Sequence, residues 1–190
     1  MTYIKYGFLT ILNLLFTLFA VIVAPFVATF ADKDGNLPDF LAWFATFDAS
    51  LDAGWKDGYF PRKNGPDYSV VAPKNIELWW LRTRWLWRNP AYGFCYWVLG
   101  TPFNPEDWTV ETFIQEGNYT KFIARSKDGH FCIGYNGPLG SYKFGWKAWN
   151  YFQKLDENGK PVWNDKPWGP EWIAPISFSP NPFKAFSYKK

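Results

Sequence analysis

The pattern of apolar and polar positions divides the chain near residue 31. From Tyr6 to Ala31 no side chain is charged and almost all are apolar, over a run of 26 residues. An α-helix rises about 1.5 Å per residue, so this run reaches about 39 Å, more than the ~30 Å hydrocarbon core of a bilayer. The rest of the chain is polar enough to fold in water. The pattern therefore predicts a transmembrane anchor that carries a compact domain.

Two other interpretations of the apolar run stay open. A cleaved signal peptide would begin at Lys5, but its apolar stretch would exceed the usual length of about 7–15 residues. A buried helix of a soluble protein would have a polar face, and the polar residues of the run form no evident stripe: Thr10, Asn13, Thr17 and Thr29. We favour a single transmembrane helix, which tolerates a kink at Pro25.

The charges that flank the run bias its orientation only slightly. Lys5 precedes the run and Lys33 follows it, and the positive-inside rule counts such residues near a span. A short N-terminus that stays in the cytoplasm would place residues 32–190 outside it. We therefore expect an extracytoplasmic domain, with a virion or cytoplasmic location as the alternative.

Residues 32–75 predict a loop-rich connector. Asp34-Gly35 and Leu37-Pro38 are turn signals. The apolar segment from Phe40 to Phe47 is too short to span a bilayer, so it lies either in the core or at the lipid interface. Three acids follow, and their spacing does not match a helix-loop-helix calcium site, so we expect turn and cap roles for Asp48, Asp52 and Asp57.

The segment from Ile76 to Arg88 predicts an amphipathic helix that Asn89-Pro90 ends. One interpretation is an interfacial helix, with Trp at headgroup depth and Arg on phosphates. The favoured one is a core helix whose arginines pair with Asp48, Asp52 or Glu77. The candidate polar cluster comprises Asp48, Asp52, Arg82, Arg84 and Arg88. The candidate interfacial or ligand-binding aromatics are Trp43, Trp79, Trp80, Trp87, Trp146 and Trp149.

Residues 109–163 predict antiparallel strands. Thr120–Ser126 and His130–Tyr135 alternate around an Asp128-Gly129 turn, which is a hairpin signal. A longer run follows, in which one strand face would carry Tyr142, Phe144, Trp146 and Ala148. The Pro-rich tail after Pro161 would wrap the surface in extended form.

These elements predict an α+β fold: an N-terminal transmembrane helix, then a compact domain with an amphipathic helix and an antiparallel β-meander. The expected division is 1–31 as membrane anchor, 32–75 as connector and 76–190 as an aromatic-rich α+β domain that includes the connector.

Composition narrows the function classes. A net charge of +3 without a basic block gives no indication of nucleic-acid binding. Phosphate-loop, zinc-protease and serine-nucleophile motifs are absent, so we expect no enzyme, cofactor or metal site. The single histidine, His130, is expected in an exposed turn. Cys95 and Cys132 are expected as two buried thiols, with one bridge as the alternative.

Three segments resemble a family of small uncharacterised proteins encoded by tailed bacteriophages and prophages. The strongest is RxxWLxRNPAYGF from Arg82 to Phe94, accompanied by the stretch from Trp43 to Asp52 and by GWK at Gly145–Lys147. Phe47 stands where the family pattern has Pro. The resemblance implies a phage accessory protein and implies no catalytic or ligand residue.

Taken together, the chain is expected to be a phage accessory protein in the inner membrane of the bacterial host. It would interact with the envelope, with phage assembly or with a protein partner. One alternative is a virion or carbohydrate-binding module whose exposed tryptophans stack on sugars, with Trp146, Trp149 and Trp163 as candidates. Another is a lysis-related membrane protein with a single span.

Overall fold

The computed structural model of the chain describes residues 2–46, 50–52, 75–167, 169 and 171–188. By their internal contacts, the residues form two compact units. The first unit comprises Met1–Ile11 and Leu99–Lys190, and the second comprises Leu12–Val98. The anchor, connector and domain boundaries expected from the sequence stay a prediction.

The apolar run forms one long helix, α1, over Thr2–Val27, followed by a single 3₁₀ turn at Ala28–Phe30. The helical stretch Thr2–Phe30 is long and apolar enough to cross a membrane. Its first residues belong to the first unit and the remainder to the second. The expected N-terminal apolar helix is therefore confirmed.

The second unit contains a further helix, α2, over Asn75–Arg88, as the sequence predicts. Short turns surround it: a 3₁₀ segment at Asp39–Phe44 and a π-helical turn at Phe94–Val98. Between α2 and the π turn, Ala91 adopts a positive φ of 55° and is buried. The Asn-Pro pair thus ends α2 and turns the chain into the next helical segment.

The first unit is built on a five-stranded antiparallel sheet with the order β2-β3-β4-β5-β9. Its strands are β2 (Trp108–Glu116), β3 (Tyr119–Ser126), β4 (Phe131–Gly137), β5 (Gly140–Trp146) and β9 (Ile176–Asn181). Strands β2 to β5 form the expected meander, and β3 pairs with β4 across the predicted Asp-Gly turn.

Two short strand pairs accompany the sheet. Strand β1 (Thr101–Pro102) pairs with β8 (Ile173–Ala174), and β6 (Phe152–Leu155) pairs with β7 (Pro161–Trp163). Further 3₁₀ turns lie at Pro105–Asp107, Ala148–Asn150 and Pro182–Ser187.

Two expectations for the C-terminal part are wrong. The strand expected to run through Ala148 ends at Trp146, because the next residues turn and Lys147 donates its N–H to the carbonyl of Pro175. The tail does not merely wrap the surface. Its residues 176–181 form β9 and complete the sheet beside β5, because Ile176 and Ser177 are buried there.

Within the first unit, the start of α1 covers part of the sheet. The hydroxyl of Tyr6 donates to the carbonyl of Ser177 at 2.7 Å, and its ring packs on Phe131 and Trp146. The guanidinium of Arg125 donates to the hydroxyl of Tyr3 and pairs with Glu111. The sheet therefore lies at the N-terminal end of α1.

Candidate functional site

The most unusual surface in the described residues is the outer side of α1. Large apolar side chains along the helix are more than a third exposed: Ile4, Phe8, Ile11, Leu12, Leu14, Leu15, Leu18, Phe19, Val21, Ile22 and Phe26. Exposed apolar patches of this extent mark interaction or membrane surfaces in proteins. The outer side of α1 is the candidate site, and we call it the lipid face.

The opposite side of α1 carries the small and polar residues. Thr10, Asn13, Ala20 and Ala24 recur at steps of three, seven and four positions and are buried. In the second unit, Asn13 accepts a hydrogen bond from the thiol of Cys95 at 3.0 Å. Thr10 and Asn13 thus share one face with the alanines, which the sequence analysis did not foresee. Small residues and hydrogen-bonding side chains are typical of helix contacts within membranes.

Tryptophans of α2 satisfy backbone carbonyls where Pro25 interrupts α1. Proline has no N–H, so it frees the carbonyl four residues earlier, which belongs to Val21. The indole N–H of Trp87 donates to that carbonyl at 2.9 Å, and the indole of Trp79 donates to the carbonyl of Pro25 at 2.8 Å. A freed carbonyl that finds such a donor is tolerated in an apolar environment.

The chain from α2 to the π turn runs back along α1 in the opposite direction. Trp79 meets Pro25, Trp87 meets Val21, and the ring of Phe94 stacks on Phe16 at 4.1 Å between centroids. Cys95 then reaches Asn13. Residues 75–98 therefore form a return segment along the second half of α1.

A buried ion pair fixes α2 to the loop after α1. Arg82 is 6% exposed, and its guanidinium donates twice to the carboxylate of Asp52, at 2.9 and 2.7 Å. It also donates to the carbonyls of Asp32, at 3.0 Å, and Lys33. The backbone N–H of Asn36 holds the pKa of the Asp32 carboxyl below its usual range.

The structure thus joins two members of the predicted polar cluster, Asp52 and Arg82. This is the core-helix interpretation, in which an arginine of α2 pairs with a connector acid. Arg88 is exposed, and its guanidinium lies over the ring of Trp85 at 5.2 Å. Arg84 is half-buried. Asp48 and Asp57 lie outside the described residues.

The predicted aromatics separate into two groups. Trp43, Trp80 and Trp87 are 38–50% exposed in the second unit, whereas Trp79 is half-buried and binds α1. In the first unit, Trp146 is only 1% exposed, and its indole donates to the carbonyl of Leu99. The prediction that Trp146 is a surface aromatic that binds a ligand is therefore wrong. Trp149 is half-buried beside a cavity of about 300 Å³, and Trp163 packs on Phe103 and Phe152.

His130 and the cysteines behave as packed groups. His130 is half-buried against the ring of Trp146, rather than exposed, and burial lowers the pKa of its imidazole. Neither cysteine forms a disulfide; the thiol of Cys132 is fully buried, which raises its pKa, whereas Cys95 is half-buried.

Fold and surface together define a class: an α+β protein whose N-terminal helix is long and apolar enough to cross a membrane. The chain belongs to a family of unknown function (DUF7338), whose model matches residues 1–187. The match includes α1 as well as the sheet. Comparison with curated proteins and with solved structures finds no match.

Proposed function

We propose that this protein is a membrane-anchored accessory protein of a tailed phage or prophage, held in the inner membrane of the bacterial host by α1. It presents its sheet to a partner in the host envelope or in phage assembly, and its role is interaction rather than catalysis. The phage origin rests on the RNPAYGF string and its companion segments. The membrane location rests on the lipid face.

The observation that carries the proposal is the inverted arrangement of α1. A helix at the surface of a soluble protein turns its large apolar residues inward, whereas α1 turns Leu15, Leu18 and Ile22 outward and Ala20 and Ala24 inward. Of the apolar 18-residue stretch within Thr2–Phe30, 28% is buried, which is little for a core helix. The bonds from α2 to Pro25 and Val21 favour a retained helix over a cleaved signal.

Replacing Leu15 by lysine should release the protein from the membrane fraction. A lysine at the centre of an inserted helix costs about 2.5–3.5 kcal/mol, whereas on a water-exposed surface it would cost almost nothing. We expect the Leu15→Lys chain to be extracted from membranes by carbonate, and the unmodified chain to resist extraction.

The matched control is Leu139→Lys, because Leu139 is 71% exposed in the turn between β4 and β5. This variant should stay in the membrane fraction. A Leu15→Lys chain that is as membrane-bound as the control would contradict the proposed role of the lipid face. An unmodified chain found in the soluble fraction would also contradict that role.

The return segment supports an anchor with two membrane-embedded parts, α1 and a part of the return segment, rather than a single span. We call these parts the two legs and the whole the two-legged anchor. If α1 crosses the bilayer, residues 75–98 come back along it, from Pro25 towards Asn13. No charged residue lies between Arg88 and Glu106, so the second leg is the uncharged end of the return segment, residues 89–98, which suits an apolar surrounding. The N-terminus and the sheet then lie on the same side, as the bond between Tyr6 and Ser177 requires.

The distribution of basic residues favours an extracytoplasmic location for the N-terminus and the sheet. Before α1 there is one basic residue, Lys5, and residues 99–120 contain none. The part between the two legs carries eight: Lys33, Lys56, Arg62, Lys63, Lys74, Arg82, Arg84 and Arg88. The positive-inside rule then places this part in the cytoplasm. The sheet is extracytoplasmic, as expected from the sequence, and the N-terminus lies outside with it.

Cysteines introduced at two exposed positions should report opposite sides. We expect Asn158→Cys, in a turn of the sheet unit, to react with an impermeant maleimide on spheroplasts. We expect Asp34→Cys, in the loop after α1, to react only after lysis. The unmodified chain supplies the background from Cys95 and Cys132.

The labelling pattern separates the rival arrangements. A single span would place both cysteines on one side, opposite the N-terminus. A helix that lies flat on the outer surface would make both cysteines reactive on spheroplasts. Either pattern would overturn the two-legged anchor, and only loss of membrane association would overturn the anchor itself.

A further inference from the structure

One face of the sheet carries an unbroken row of uncharged hydrogen-bonding side chains. The strand register places Gln115 opposite Thr120, Thr120 opposite Asn136, Asn136 opposite Ser141, and Ser141 opposite Asn181. The row therefore crosses all five strands. Residues directly opposite each other have side chains on the same face of a sheet, so these five amide and hydroxyl groups form one continuous polar line.

A cavity lies beside this row. Its volume is about 300 Å³, at the lower end of the range of small-ligand sites. The adjacent register row contributes Phe122, Gly134 and Lys143. Trp149 forms the wall: its ring lies 3.7 Å from where a Cβ of Gly134 would be, and the ammonium of Lys143 lies 5.9 Å from the centroid of that ring.

Two groups at the cavity keep hydrogen-bonding capacity, whereas Asn181 at the end of the row already accepts the backbone N–H of Lys184. Among the described residues, none accepts a hydrogen bond from the indole of Trp149. Asn136 donates through its amide to the carbonyl of Asn118, which leaves its side-chain oxygen available. A second cavity, of about 270 Å³, shares Asn136 and continues the groove past Asn118 and Ser187.

We infer that this groove binds a saccharide chain. Its ligand must offer many neutral donors and acceptors to the amide and hydroxyl row, and an apolar ring face to Trp149. A sugar does both, because its hydroxyls point outward around the ring while its C–H groups gather on the ring face. Lipid chains would leave the polar row unpaired. Nucleic acid would need a basic stripe, whereas the row carries no charge and the lining residues of the two cavities include two lysines, Lys143 and Lys184.

The inference does not depend on the membrane anchor, because the groove lies within the sheet unit. It also replaces the sugar-stacking residues expected from the sequence. Of Trp146, Trp149 and Trp163, only Trp149 borders the groove. The row of Thr120, Asn136 and Ser141 becomes evident only once the strands are in register.

The test is binding of the full chain in lipid nanodiscs, because sugar-headed detergents would compete. The probes are peptidoglycan fragments, lipopolysaccharide O-chains and capsular polysaccharides, measured by titration calorimetry. We expect at least one of them to bind and Gly134→Ala to weaken binding at least tenfold. This variant adds a methyl at ordinary contact distance from Trp149 and Phe122, so it narrows the groove without breaking the strand.

A second pair of variants tests whether the loss of binding comes from the groove itself rather than from a general change in the sheet. Thr120→Ala removes a hydroxyl from the row and should weaken binding several-fold. Thr109→Ala makes the same change at an exposed position elsewhere on β2 and should leave binding unchanged. Failure of every polysaccharide to bind would overturn the inference. Binding that survives both Gly134→Ala and Trp149→Ala in folded protein would also overturn it.

Discussion

Replacing Arg82 by alanine should lower the free energy of unfolding by about 3–4 kcal/mol, a large part of the stability of a protein of this size. The change leaves the carboxylate of Asp52 and the carbonyls of Asp32 and Lys33 without their buried donor. Asp52 keeps about a quarter of its side chain exposed, so some solvation returns and the cost stays below the upper limit for buried pairs. Thermal unfolding in nanodiscs, followed by circular dichroism, measures it.

Two comparisons make this result specific. Arg125 pairs with Glu111 at the surface, where both side chains are more than 40% exposed, so Arg125→Ala should lower the free energy of unfolding far less than Arg82→Ala. Combining Arg82→Met with Asp52→Leu should recover about 1–2 kcal/mol relative to Arg82→Met alone, because no charge is then left unpaired. Equal losses for Arg82→Ala and Arg125→Ala would contradict the buried role of the pair.

Replacing Gly145 by alanine should cost about 3 kcal/mol or more. Gly145 has φ +87° in β5, opposite Cys132, and an alanine Cβ there would overlap the backbone carbonyl of Phe131. Left-handed strain and overpacking each contribute about 1–3 kcal/mol. The backbone of Phe131 cannot move aside as a flexible side chain does. The paired strands β4 and β5 must therefore separate locally. The measurement is chemical unfolding followed by the near-ultraviolet signal of the tryptophans.

Gly159→Ala is the control for backbone strain alone. Gly159 also has a positive φ, of 75°, but open space surrounds its Cβ position. Its alanine variant should therefore lose only about 1 kcal/mol. If both variants lost the same amount, the contact with Phe131 would have no part in the effect.

The same reasoning explains two glycines in the segments that carry the phage resemblance. Gly145 begins the GWK segment, and Gly93 lies in RNPAYGF. A Cβ at Gly93 would overlap the carbonyl of Ala42, which closely approaches this turn. Both glycines are thus required by close backbone approach.

Local patterns were sufficient to predict the two helices and the central hairpin. The uncharged run gave α1, the spacing of Leu78, Leu81 and Trp85 gave α2, and the Asp128-Gly129 turn gave the hairpin of β3 and β4. In each case the signal lies within neighbouring residues: length, a period of three to four, or a turn that requires a positive φ.

Long-range pairing was not visible in the sequence. Strand β9 contains Pro180 and follows a Pro-rich stretch, which reads locally as an irregular tail. Its place beside β5 follows from burial of Ile176 against distant residues. The same limit applies to Trp146, because sequence alone does not say which of 13 tryptophans the core takes.

The candidate site was predicted only in part. Opposite charges made the pairing of Arg82 with a connector acid foreseeable, but its bonds to the carbonyls of Asp32 and Lys33 depend on loop geometry. The two faces of α1 were missed because the buried face combines polar Thr10 and Asn13 with apolar alanines, so polarity alone does not mark it. A signal was nevertheless present: Thr10, Asn13, Ala20 and Ala24 recur at steps of three, seven and four, which is a helical period.

The two faces of α1 should also differ in the substitutions that they accept over evolutionary time. Outward positions such as Leu15 and Ile22 need only a large hydrophobic side chain. Leucine, isoleucine, phenylalanine and valine should therefore replace one another freely there. Ala24 is fully enclosed, and even a valine there would need room that its neighbours do not leave. Among distant homologues of this chain, the outward residues should therefore vary in identity, whereas the enclosed residues should stay the same.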